Sequence, residues 1–134
     1  MNGFQAEVLV RGEIRGMGLT QPRLPSEDKL VALAAKHAPK RLKQVQRGLG
    51  DNGVSLYSLS AYDVLDHVYG LDFIVKHEGS WVGIDVTIDT CPGKLGSKAA
   101  KMEKLMPLYK ALGITKVGVY NPNKTTLKAF LEIL

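Results

Sequence analysis

The 134-residue chain contains one cysteine, one tryptophan and three phenylalanines, and aromatic residues make up only 7% of it. A lone cysteine, Cys91, excludes an intramolecular disulfide and a cysteine-rich zinc site, and it fits a reducing cytoplasm. No apolar run approaches the roughly 20 residues of a membrane span, and the opening residues lack a charged-then-apolar leader. No phosphate-binding P-loop, dinucleotide fingerprint or nucleophile elbow is present. Acidic residues are missing altogether between Lys29 and Gly50. Those absences set aside membrane, disulfide-scaffold and common nucleotide-enzyme classes.

The missing acids leave a basic segment in which Lys36, Lys40, Arg41, Lys43 and Arg47 accumulate. A second basic group, Lys94, Lys98, Lys101 and Lys104, is interrupted only by Glu103. With a net charge of +5 and a pI near 9.4, such clusters suit a polyphosphate partner, because neutralising phosphates releases counterions. The competing reading is a solvated basic face. Hydrophobic content of 45% and charged content of 23% describe one ordinary globular domain spanning 1–134.

Residues 3–17 read as a helix with Phe4, Val8, Val10, Ile14 and Met17 as its apolar set. Ser26 reads as the N-cap of a helix to about Ala38, with Glu27 and Asp28 in its first turn. Pro39 ends that helix or opens a short basic one to about Gln46, and residues 48–53 read as a loop. The segment 54–69, with Asp63, Asp66 and His67, fits a strand or a short helix. Strands are expected near 71–77 and 81–89, joined through Glu78-Gly79. Ser97 is expected to cap a helix to about Leu112 that Pro107 kinks or breaks. Residues 114–120 then form a strand, and Thr125 or Thr126 starts a short terminal helix. A right-handed crossover sets strand 114–120 parallel to strand 81–89. The expected fold is α/β, a small mixed sheet flanked by helices.

Two aspartates sit inside the hairpin strands, which aspartate avoids. Paired residues in a two-residue hairpin keep a constant sum. His77 with Ser80 gives 157, and so does Asp72 with Asp85. The two carboxylates therefore face each other, which is destabilising unless something compensates. A divalent cation with oxygen ligands is one compensation. The alternatives are a wet face of the sheet or a register slipped by one.

Glu7 on the first helix, Gly70-Leu71-Asp72 on one strand and Asp85-Val86-Thr87 on the next resemble the PD-(D/E)XK nuclease superfamily, particularly its Holliday junction resolvase-like members. The segment Gly3-Phe4-Gln5-Ala6-Glu7 matches the opening of that family's first helix. The resemblance implies a restriction endonuclease-like fold, a Mg2+- or Mn2+-dependent hydrolysis of DNA and a homodimer. It places the metal on Asp72 and Asp85 with the carbonyl of Val86, and Glu7 beside them. The basic residues Lys40, Arg41, Lys43, Arg47, Lys94 and Lys101 would hold the nucleic acid.

Thr87 stands where the family carries lysine, and a neutral hydroxyl supplies no charge to the phosphate. Either another lysine takes the role or the fold binds without cutting. Lys98 opens a helical stripe, Lys98, Met102, Leu105, Tyr109 and Leu112, that points toward the sheet. Lys76 is the other candidate, although it pairs across the hairpin with Trp81. Glu7 has the alternative of an exposed pair with Arg11 one turn on.

Overall fold

The hairpin forms in the expected register. In the computed structural model, which describes residues 1–134, β1 (Phe73–His77) runs antiparallel to β2 (Ser80–Val86), with Phe73 opposite Ile84 and His77 opposite Ser80. Glu78 and Gly79 both take positive φ, 50° and 80°, which is the type I′ geometry matched to strand twist. β3 (Ile114–Tyr120) lies parallel to β2 on its other side, so the sheet order is β1-β2-β3. The α/β class and the mixed sheet are thus as the sequence implies.

Seven α-helices surround the sheet: α1 (Gly3–Gly16), α2 (Glu27–His37), α3 (Pro39–Asp51), α4 (Ala61–Val64), α5 (Pro92–Lys104), α6 (Met106–Ala111) and α7 (Leu127–Ile133). One face of the sheet packs Ile74 and Ile114 against Leu30, Val68, Met102 and Leu108 from the central helices. The other packs Phe73, Val75, Val82 and Ile84 against Val10 and Ile14 of α1 and Phe130 of α7. Strand alternation divides β1 and β2 between two cores, one on each side. None of the helices is long and apolar enough to cross a membrane.

Several expectations are corrected. The buried line of α1 is Ala6, Val10 and Ile14, four residues apart, while Phe4 is 73% exposed and Val8 and Met17 also face out. The expected set mixed two faces of one helix. Residues 48–51 continue α3, and only Asn52-Gly53 turns the chain, because two glycines weaken a helix without ending it. Helix α5 begins at Pro92, which suits N1, and Ser97 lies inside it, its hydroxyl donating to the Gly93 carbonyl at 3.0 Å. β2 stops at Val86, three residues short of the expected end. Of the two readings of residues 54–69 the helical one holds: a 3-10 turn is followed by α4 with Asp63 and a π-helical turn over Leu65–Tyr69 with Asp66.

Pro107 does break the expected long helix, into α5 and α6, yet Met102, Leu105 and Tyr109 remain buried across the break. That continuity keeps α5 aimed at the sheet. It also fixes where the lysines of α5 point.

Candidate active site

Asp72 lies immediately before β1 and donates its N–H to the Ile84 carbonyl at 2.8 Å, continuing the hairpin ladder. Its side chain turns across the sheet, where Oδ2 accepts the N–H of Val86 at 2.7 Å. Asp85 is directly opposite by register and touches the Asp72 carboxyl. Strand parity puts both on the side of the sheet that α5 covers. The opposed pair expected from the sequence is present.

Both carboxyls are pushed up to about 6. For Asp72 burial is the main cause, the Val86 N–H works against it, and the neighbouring Glu7 and Asp66 carboxyls add to the rise. For Asp85 burial again dominates, Lys98 opposes it and Asp72 reinforces it. Two carboxyls that are mostly out of water and share one neighbourhood resist double ionisation.

A lysine approaches the pair from α5. Lys98 Nζ stands 3.6 Å from Asp85 Oδ2, half-buried in the second turn of the helix. Lys101, one turn further, lies against Gly70: a Cβ built there would sit 3.5 Å from Lys101 Cε and 3.6 Å from its Nζ. Gly70 has φ of 68°, so glycine serves the turn into β1. Burial and the nearby Arg41 lower the Lys101 pKa, while Asp85 and Asp66 oppose them. Charge reading alone assigned Lys101 to the substrate-binding surface. Its three-residue spacing from Lys98 was the signal of its nearness to the pair.

Glu7 reaches the Asp72 carboxyl from α1, giving the order Glu7, Asp72, Asp85, Lys98 across the sheet end. It forms no ion pair with Arg11, whose guanidinium instead stands 5.8 Å from the Phe73 ring centre. Lys76 is exposed and lies 5.6 Å over Trp81. Thr87 is 6% exposed and its hydroxyl accepts the Asp89 N–H at 3.0 Å. Asp66, which with Asp63 and His67 reads from the sequence as an added ligand or a loop cluster, acts on Asp72 from the π-helical turn.

A cleft of about 500 Å³ opens beside Asp72, with Glu7, Asp63, Asp66, Tyr62 and Arg11 on its walls. A second opening, about 720 Å³, runs between α3 and α5 past Lys40, Arg41, Lys101 and Lys104. Arg41 is tied in place there, donating to the carbonyls of Val68 at 3.2 Å and His67 at 2.9 Å. Lys43 and Arg47 continue outward along α3, and Lys94 makes a long ion pair with Asp89 at 3.9 Å.

No group of three or more His, Cys, Asp or Glu side chains is arranged to hold a metal ion. Glu7 adjoins Asp72, and Asp72 adjoins Asp85, so the carboxyls follow one another in a row. The donor set is nonetheless hard oxygen, and Mg2+ is commonly held by one or two carboxylates with water and substrate phosphate completing its shell. The Asp72–Asp85 pair fits that two-carboxylate pattern. No family model, no curated protein and no solved structure matches the chain, so its chemistry is read from these side chains themselves.

Proposed function

We propose that the chain is a metal-dependent endonuclease with a restriction endonuclease-like fold that hydrolyses DNA phosphodiester bonds in branched or otherwise structured DNA. The observation that carries the reading is the row Glu7, Asp72, Asp85, Lys98, in which two opposed, half-buried carboxyls meet one lysine at 3.6 Å. Such a costly juxtaposition on adjacent strands suits a site that takes up a cation. Asp72 and Asp85 would hold Mg2+ or Mn2+, which when bound polarises the phosphate and lowers the pKa of a water.

The chain's own groups do the rest. Val86 fixes the Asp72 carboxyl by its N–H, so one oxygen stays directed at Asp85. Lys98 faces charge that develops on the phosphate as a water oxygen bonds to phosphorus and the bond to the leaving sugar oxygen breaks. One water proton passes to bulk water, and the leaving alkoxide takes up another. Glu7 adds negative charge beside Asp72 and sharpens the demand for a cation.

Incubation with supercoiled plasmid and synthetic four-way junctions, in Mg2+ or Mn2+, tests the reading. Cleavage that disappears in Asp72→Ala is expected. Activity no greater than that of Asp72→Ala on every substrate would sink it.

A second reading is a nucleic-acid-binding module without cleavage, favoured by the buried, hydrogen-bonded Thr87 and by the absence of a three-side-chain metal group. It expects salt-dependent binding that Asp85→Asn changes only through general charge. Loss of a measured activity in Asp85→Asn would dispose of it.

A further inference from the structure

Two openings of opposite charge flank the Asp72–Asp85 pair: Asp72 lines the first, and Lys101, whose charge acts on Asp85, lines the second. The cleft beside Asp72 is walled by Glu7, Asp63 and Asp66, with Arg11 as its single cation. The groove between α3 and α5 has no acid on its walls; Lys40 and Arg41 face Lys101 and Lys104 across it, with His37 at one end. A polyanion approaching the pair meets repulsion through one opening and attraction through the other.

The groove is also joined to the pair. Lys98, Lys101 and Lys104 recur every three residues on α5, about 4.5 Å of helical rise apart, and make a slanted ladder. Its first rung is the Asp85 partner, its second packs on Gly70 just before Asp72, and its third is exposed at the outer groove. Arg41 braces the opposite wall through the His67 and Val68 carbonyls, so the α3 side is held to the segment that leads into β1.

We propose that the α3–α5 groove is the track of one DNA strand's phosphodiester backbone, which delivers a phosphate along Lys104 and Lys101 to Lys98 beside Asp85. The acidic cleft is then closed to phosphate and open to cations and water. The inference rests on the nuclease reading for what happens at the inner end of the track; the track itself is a binding surface.

The experiment uses the full chain in chelator, with a fluorescein-labelled four-way junction and duplex read by anisotropy over a range of salt. Lys40 and Lys104 are exposed, so their removal leaves the fold intact. In Lys40→Ala/Lys104→Ala the dissociation constant is expected to rise by about tenfold or more, and the log–log salt slope to become shallower by about 2. Lys124→Ala/Lys128→Ala removes the same charge from the turn before α7 and from α7, which packs on the other side of the sheet, and is expected to change affinity by less than about threefold. Equal losses from the two pairs, or none from the groove pair, overturn the track. Groove-dependent binding without cleavage in Mg2+ or Mn2+ keeps the track and removes the nuclease reading. Cleavage with wild-type affinity in Lys40→Ala/Lys104→Ala does the reverse.

Discussion

Lys98 Nζ lies 3.6 Å from Asp85 Oδ2, although the two residues belong to different elements and stand on opposite sides of the connection from β2 to α5. On the proposed nuclease reading, a helix supplies the cation that Thr87 does not provide. Lys98→Ala is expected to slow single-turnover cleavage by roughly 100-fold or more while DNA affinity changes little, as for a charge that acts in the transition state. Lys76→Ala, which loses only a contact over Trp81, is expected to cleave normally. An inactive Lys76→Ala beside an active Lys98→Ala would reassign the role to the strand lysine.

Placing a lysine at position 87 is expected to fail. Thr87 is 6% exposed and its hydroxyl holds the Asp89 N–H, so Thr87→Lys buries a charge and removes a hydrogen bond. Destabilisation of about 2–4 kcal/mol is expected, read from the urea midpoint. A stable Thr87→Lys that cleaved faster than wild type would show that this backbone position can reach the phosphate.

Asp72→Asn separates function from stability. The amide oxygen still accepts the Val86 N–H, but the charge facing Asp85 is gone. In the absence of divalent cations the thermal midpoint is expected to rise by roughly 2–6 °C, while cation-dependent cleavage is lost. A lower midpoint in calorimetry would mean that the pair does not strain the fold.

The same pair sets a pH dependence. Asp72 and Asp85 are held up to about 6 from an ordinary 3.8. Between those values the folded chain binds protons that the unfolded chain has released, so stability falls as pH rises through the window. Without divalent cations the thermal midpoint should be higher near pH 5 than near pH 7, and Asp72→Asn/Asp85→Asn should flatten that difference. Cation affinity runs the other way and should weaken below about pH 6, where the carboxyls take up protons.

Much of this arrangement could be read from the chain. Two-residue periodicity and Glu78-Gly79 specify the register, and the register alone opposes Asp72 to Asp85. The stripe from Lys98 to Tyr109 gives the direction of α5 even though Pro107 interrupts it. Less legible was the identity of the buried face of α1, because Phe4 and Val8 are more apolar than the Ala6 that is actually buried. Hydrophobicity ranks residues, whereas close packing on a sheet selects small ones. The π-helical turn that presents Asp66 has no local signal, since it depends on Tyr69 and Arg41 finding partners far along the chain. Nor does the sequence signal Gly83 and Gly118, where a methyl would press on a buried side chain, Leu71 or Phe130.

Glu13 ties the two ends of the fold together. One carboxylate oxygen accepts the Tyr120 hydroxyl at 2.8 Å and the other accepts the Leu127 N–H at 2.9 Å, so the helix that carries Glu7 is latched to β3 and α7. The latch spans more than a hundred residues of sequence, and such long-range closures form late in folding. During synthesis the row from Glu7 to Lys98 therefore lacks its anchored first member until residues 120–127 have left the ribosome. A nascent chain carries the Asp72 and Asp85 strands before the rest of the row is in place, and, on the proposed reading, ribosome-bound chains stalled before residue 120 should show no cleavage above background.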